Sequence, residues 1–254
     1  VKPPPHLRPH RRRSGGQRWD EHNIARRTAI LEAALALIEE HEPGAEISTQ
    51  QIADRAGLAR SVVYRQFRNR EDLDARAREY VFDGYLTEFE EILVLDPAKT
   101  VEDLIFDVML TVVRWTTDHP NLYRFAQQGP LPGHPTADTL TTFRHRVADT
   151  LWRRFASWTT VLAIDITPYR PLAYGIVGLV EGVISHHLST PPTPTRPTQP
   201  ALARLLTTST WHLLAGHAAD QGHPLDRTTP LSTTLATLLS SAPDRANPEQ
   251  PVDN

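Results

Sequence analysis

Residues 47–73 read ISTQQIADRAGLARSVVYRQFRNREDL, and the fold is decided by this stretch. Ser48 suits a helix N-cap, and Gln51, three residues on, can reach back to the Ser48 N–H and close a capping box. Ile52, Ala53 and Ala56 then share one apolar side. Gly57 stands where that helix has to stop, because the left-handed position after a C-cap favours glycine. Leu58 plugs the gap between two helices. A second helix runs from about Ala59 to Phe67, with Val62, Val63 and Phe67 inward and Arg60, Ser61, Tyr64 and Arg65 outward. No Asp or Glu occurs from Leu58 through Arg70, whereas a merely solvated helix face mixes charge signs. The arrangement is a helix-turn-helix whose second helix reads a DNA major groove from its N-terminal half. The expected DNA contacts are Arg60, Ser61, Tyr64 and Arg65 on that helix. Thr49 and Gln50 at the start of the helix before it, and Asn69 and Arg70 at the start of the helix after it, complete the set. An ordinary helical hairpin is the competing reading, and the missing acids disfavour it.

Charge is segregated along the chain. The net charge is −3 over 254 residues, yet residues 1–70 hold 13 Lys and Arg against 8 Asp and Glu, while the remainder holds 14 against 22. A basic head on an acidic body is what a protein needs when one end meets a polyanion. There are no cysteines, which excludes disulfides and thiolate metal sites. The N-terminal charges are not followed by an apolar stretch of the kind a signal peptide carries. The most apolar run, residues 171–188, is interrupted by Glu181 and is too short and polar for a membrane span. The expected location is the cytoplasm, with no membrane partner.

The chain resembles the TetR-type bacterial transcriptional repressors over roughly residues 26–81. The resemblance rests on an amphipathic RRTAILEAALALIEEH, on the pairing of I-A-x-x-A-G-L with V-x-x-x-Y-R-x-F, and on NREDL opening a further helix. Departures are mild: Ala59 where Ser or Thr is common, Ser61 where a small residue is, and Arg70 where Lys is. The resemblance implies an all-α chain with an N-terminal three-helix DNA-binding domain and a larger helical domain for ligand binding and dimerisation. It also implies operator binding as a homodimer, paired through C-terminal helices.

The residues beyond this stretch agree with such a body. A basic, proline-rich arm is expected over 1–19, disordered for want of apolar periodicity, and usable as an electrostatic arm on phosphates. The DNA-binding domain spans 20–70, its first helix beginning at 21 or 24 and ending at 40. The helical body covers 71–242, and 243–254 read as a disordered tail. Within the body, helical periodicity predicts helices from 71 to 95, 101 to 118, 121 to 128, 140 to 158, 171 to 188, 201 to 219 and 231 to 239.

Nothing in the body looks catalytic, and neither a cofactor nor a metal is expected. Gly175, Gly178 and Gly182 lie inside a helix instead of after a strand, so they favour close helix approach over a phosphate cradle. The histidines lack the spacing of paired ligands. The helix over 171–188 is apolar nearly all round, which asks for a partner on one side. Gly175, Gly178, Leu179, Gly182, Leu205 and Trp211 are the expected dimer interface, with simple burial in one subunit as the alternative. Phe106, Met109, Val113, Tyr123, Gln127, Phe143, Val147, Phe155, Tyr174 and Val177 are the expected lining of an apolar effector pocket. Arg114, Gln127 or His145 would supply polar contacts, with a gating loop at 129–133. The function expected is a ligand-responsive regulator, a repressor on a palindromic operator. The alternative is a helical small-molecule-binding protein or enzyme that makes no regulatory use of its helix-turn-helix.

Overall fold

The computed structural model describes residues 14–42, 44–94, 96–128, 139–161, 166–191 and 193–241. Ten α-helices occur among them: α1 (Ser14–Glu40), α2 (Thr49–Arg55), α3 (Arg60–Gln66), α4 (Arg70–Ile92), α5 (Val101–Asp118), α6 (Pro120–Gln127), α7 (Thr139–Val161), α8 (Arg170–Ser189), α9 (Gln199–Asp220) and α10 (Leu231–Ser241). No β-strand is present among the described residues. They form two compact units: residues 1–82 with 121–128, and residues 83–120 with 129–254.

The first unit is held by short-range signals and one apolar core. Ser48 accepts from the Gln51 N–H while the Gln51 side chain receives the Ser48 N–H, so the capping box is complete. Gly57 adopts φ +65°, a conformation that costs an L side chain roughly 1–2 kcal/mol. Ala59 caps α3 without any side-chain hydrogen bond, as its identity requires. Ile30, Leu37, Ile47, Ile52, Val63, Phe67, Leu73 and Phe125 meet in the core, with Leu35, Ile38, Ala56 and Leu58 packed against it. Ile30 and Ile52 are wholly buried, each worth roughly 1.5–3 kcal/mol of transfer free energy. Arg55 adds a two-pronged ion pair to Glu40, at 2.9 and 2.5 Å, tying α2 to the end of α1.

Two features of this unit differ from the expectation. α1 already includes residues 14–20, which the sequence assigned to the arm or its edge; SGGQRWD carries no apolar stripe, so periodicity starts the helix too late. Residues 1–13 of the arm and 242–254, which hold the tail, lie outside the described residues. The second difference is α6. Its residues from Asn121 onward belong to the first unit, although the sequence placed them in the body. Asn121 donates its amide to the Glu39 and His41 carbonyls at 3.2 and 3.0 Å, covering acceptors that the end of α1 leaves open. Phe125 enters the core, with the Arg78 guanidinium over its ring at 5.4 Å.

α4 opens on a pair of side-chain cap bonds. The Asn69 side chain accepts from the Asp72 N–H at 2.8 Å, and Asp72 accepts from the Arg68 N–H at 3.0 Å. The Arg68 N–H is the main reason the Asp72 carboxyl sits below the usual carboxylate range, with Arg68 and Arg76 charges adding to it against a burial cost. A depressed folded-state value means stability that is present at neutral pH and lost as pH falls through that value. Asp72→Ala is therefore expected to lower the stability of this unit by roughly 0.5–2 kcal/mol at pH 7. The difference from wild type should shrink on acidification below the ordinary carboxylate range. Urea denaturation at both pH values reads it, and a pH-independent difference would contradict the assignment.

The second unit pairs α5 with α9 and α7 with α8. α5 carries its own capping box, Thr100 with Asp103. Val113, Leu202, Ala203, Leu206 and Trp211 are buried, and a further cluster joins Leu86, Phe89, Leu93 and Val147, with Tyr85, Phe143 and Val177 packed on it. The start of α10 is pinned to the loop before α5 by Leu231 N–H to Lys99 O at 2.8 Å and Ser232 N–H to Pro97 O at 3.0 Å. A 3-10 turn (Thr167–Tyr169) leads into α8. No helix among the described residues is long and apolar enough to cross a membrane.

Candidate nucleic-acid interface

α3 presents the expected face. Arg60, Ser61, Tyr64 and Arg65 are all exposed, while Val63 and, just past the helix, Phe67 are buried behind them. Arg60 donates from Nη2 to the Tyr64 hydroxyl at 2.9 Å and lies over its ring. That hydrogen bond, then one from the Thr49 side chain, holds the Tyr64 phenol below the ordinary tyrosine range. Thr49 stands in the first turn of α2 and is half-buried. Gln50 is exposed beside it, with its amide donating to Asp54 at 2.7 Å. The backing of the face is also fixed: Gln66 donates to Asn23 at 2.5 Å, and Arg27 lies over the Phe67 ring.

Asn69 and Arg70 are placed otherwise than the sequence suggested. The Asn69 side chain is engaged as the cap of α4. Arg70 turns inward: Nη1 donates to the Ile47 carbonyl and Nε to Asp74 at 2.8 Å, so its guanidinium braces α4 against the residue before the α2 cap. Asp74 itself is pushed up by burial, against the pull of Arg70. The cation that remains outward at this corner is Arg68, whose side chain is 86% exposed with one long contact, 3.4 Å, to Asp72. Sequence reasoning missed Arg68. Spacing could not have told the two apart, since each has an aspartate four residues on, Asp72 and Asp74; the Ile47 carbonyl that engages Arg70 is a tertiary partner.

The expected effector lining is dispersed. Phe106, Met109 and Val113 lie on α5, Phe143, Val147 and Phe155 on α7, and Tyr174 and Val177 on α8, all in the second unit. Tyr123 and Gln127 lie on α6 and belong to the first unit. Phe143, Val147 and Val177 share one core cluster, and Phe106 is covered by the Arg204 guanidinium at 4.9 Å. The Tyr174 hydroxyl donates to Asp149 at 2.9 Å. Arg114 and His145 are exposed, so neither is placed to serve an apolar interior. The loop 129–133 lies outside the described residues.

Of the expected interface residues, Gly175, Gly178, Leu179 and Gly182 are exposed along α8, and Leu205 is exposed on α9. A Cβ at any of the three glycines would meet nothing within 4 Å, so nothing among the described residues fills the face. Trp211 is the exception: it is buried within its own unit beneath Arg227, and cannot be part of an outward surface.

A capped helix-turn-helix with an acid-free reading helix defines the class, a helix-turn-helix DNA-binding protein. Residues 30–77 match the family of bacterial regulatory proteins, tetR family. The chain is 25% identical over 202 residues to an uncharacterised HTH-type transcriptional regulator of Mycobacterium tuberculosis, covering 79% of this chain and 82% of that one. Among solved structures, a tetR-family transcriptional regulator from Streptomyces coelicolor superposes with a TM-score of 0.60 at 18% identity, over 87% of this chain and 91% of that one. A TetR regulator from Rhodococcus sp. RHA1 reaches a TM-score of 0.47 at 19% identity, over 76% and 97%. The chain is thus similar to HTH-type transcriptional regulators over most of its length, and its residues 30–77 match the tetR family.

Proposed function

We propose that this regulator is a repressor that binds a palindromic operator as a homodimer and is released from it by a small, hydrophobic effector. The observation that carries the DNA part is the reading face itself: Arg60, Ser61, Tyr64 and Arg65 exposed together on a helix whose buried side is anchored in a capped core. Dimerisation is supported by the open small-residue face of α8, and a palindrome follows from a twofold protein. The effector reading rests on the separate helical unit and its aromatic content. An effector acts here by favouring one of two head spacings, which is a population shift. The reading face is built of donors and cations instead of a nucleophile beside a base, which favours regulation over catalysis.

The test is selection of duplexes from a randomised pool with the full chain, followed by binding as a function of salt. Recovery of a twofold-symmetric sequence supports the reading, and recovery of none overturns it. On the selected duplex, Arg68→Ala should flatten the plot of log K against log salt by about 0.9 for each phosphate that Arg68 neutralises. Arg70→Ala should leave that slope unchanged and lower the melting temperature instead. The reverse pattern would return the phosphate to Arg70.

A further inference from the structure

The reading helix is weakly held from within. α3 is 7 residues long, short of the roughly 12–15 at which a helix begins to be stable alone. Ala59 gives it no side-chain cap, no acid occupies its first turn, and Val63 is its single buried residue. Phe67 follows, buried, one turn on. Two anchors along a single line fix where a helix sits but resist its rolling poorly. What resists the roll comes from α1, at the C-terminal end of α3. The Gln66 amide donates to Asn23 Oδ1 at 2.5 Å, and the Arg27 guanidinium carbon stands 5.2 Å from the centroid of the Phe67 ring. Asn23 and Arg27 lie one helical turn apart on one face of α1. Asn23, Arg27 and Gln66 are all half-buried, so water competes for these contacts less than at an open surface.

We infer that Asn23 and Arg27 are positioning residues for DNA reading: as a clip on Gln66 and Phe67 they set the roll of α3. The inference rests on the DNA-binding reading above and extends the reading machinery to α1. Side-chain ends lie about 5–6 Å from a helix axis, so a roll of about 20° carries them about 2 Å. That exceeds the tolerance of a hydrogen-bond length. Any contact of Arg60, Ser61, Tyr64 or Arg65 with a base edge depends on such lengths. Attraction to phosphates is instead a sum over charges that a small roll leaves nearly unchanged. Loss of the clip therefore costs discrimination among sequences and spares non-specific attraction.

The experiment uses the full chain, a duplex recovered by selection and a scrambled duplex of the same length, well below the melting temperature. Asn23→Ala favours the helix locally, so α1 survives it. It should weaken binding to the selected duplex roughly three- to tenfold, the loss of one hydrogen bond, with affinity for the scrambled duplex unchanged. Gln66→Ala should cost clearly less in the Asn23→Ala background than alone, because the two side chains form one contact. Asn23→Asp keeps the accepting oxygen and should recover most of the selectivity, whereas a direct phosphate contact by Asn23 would make Asp the worse of the two. Arg27→Met should also lower selectivity while leaving the slope of log K against log salt unchanged. A slope flattened by about 0.9 would make Arg27 a phosphate contact and remove it from the clip. Equal losses on both duplexes mark plain destabilisation and overturn the inference. So do wild-type selectivity in Asn23→Ala and fully additive losses for Asn23 and Gln66. These outcomes leave the DNA-binding reading standing, and failure to select any duplex overturns both.

Discussion

Phe125→Ala is expected to destabilise the first unit by about 3–5 kcal/mol and to abolish DNA binding, although Phe125 stands on α6, far along the chain from the reading helix. Its side chain is 7% exposed in the cluster that also holds Ile30, Leu37, Ile52, Val63 and Phe67. These are the residues that back α2 and α3. Truncation leaves a cavity in that shared core, and a small helical unit has little stability to lose. One effect opposes this. Arg78 lies over the ring, and burial pulls its guanidinium below its usual value, so removing the ring re-solvates Arg78 and offsets part of the loss. Native-state hydrogen exchange should show α1 to α3 losing protection together while α7 to α9 keep theirs. Wild-type protection across residues 30–77 in the variant would refute the role given to α6.

Leu179→Arg is the second large effect, and it acts on assembly. Leu179 is 37% exposed, so a charge there is solvated in a single subunit and costs the fold little. In the proposed dimer the same charge is desolvated twice, once per partner, across a face where glycines bring backbones close. Sedimentation should show a monomer at micromolar concentration. A monomer keeps one intact head but reaches only half of the operator. For a nanomolar site of about 12 kcal/mol, half that free energy corresponds to tens of micromolar. Leu206→Ala serves as the contrast. Leu206 is 1% exposed on the neighbouring α9, so its truncation should cost about 2–5 kcal/mol of fold stability with the assembly state of the folded fraction unchanged. A native-like dimer for Leu179→Arg would remove α8 from the interface.

What was legible in the sequence was local. The Ser48–Gln51 box, the stop at Gly57 and the uncapped Ala59 each depend on residues within one turn, and the structure shows all three as expected. The outward set on α3 follows from helical phase and from the absence of acids. The errors share a different cause. The sequence position of Arg70 suits a phosphate contact, yet the Ile47 carbonyl, 23 residues away, claims its guanidinium. Trp211 stands close to Leu205 on α9 and suggests an interface, but helical phase and Arg227 fold it inward. Adjacency assigns α6 to the body, while Asn121 and Phe125 answer to groups on α1 and in the head core. A tertiary partner decides each of these, and no window of single-chain periodicity contains it.

The split of the first unit, with residues 83–120 lying between its two parts, also fixes a sequence of events during synthesis. Chain emerging from a ribosome through residue 82 has made all of α1 to α3 and the start of α4. It still lacks the phenylalanine that closes their core and the asparagine that covers the end of α1. Closing a loop of this size adds an entropic delay that grows only slowly with length, but the closing residues must first exist. Stalled nascent chains are thus expected to gain protease resistance across residues 30–77 in one step once residue 128 has cleared the exit tunnel, and not when the reading helix itself appears. The part that touches DNA is written early and completed late.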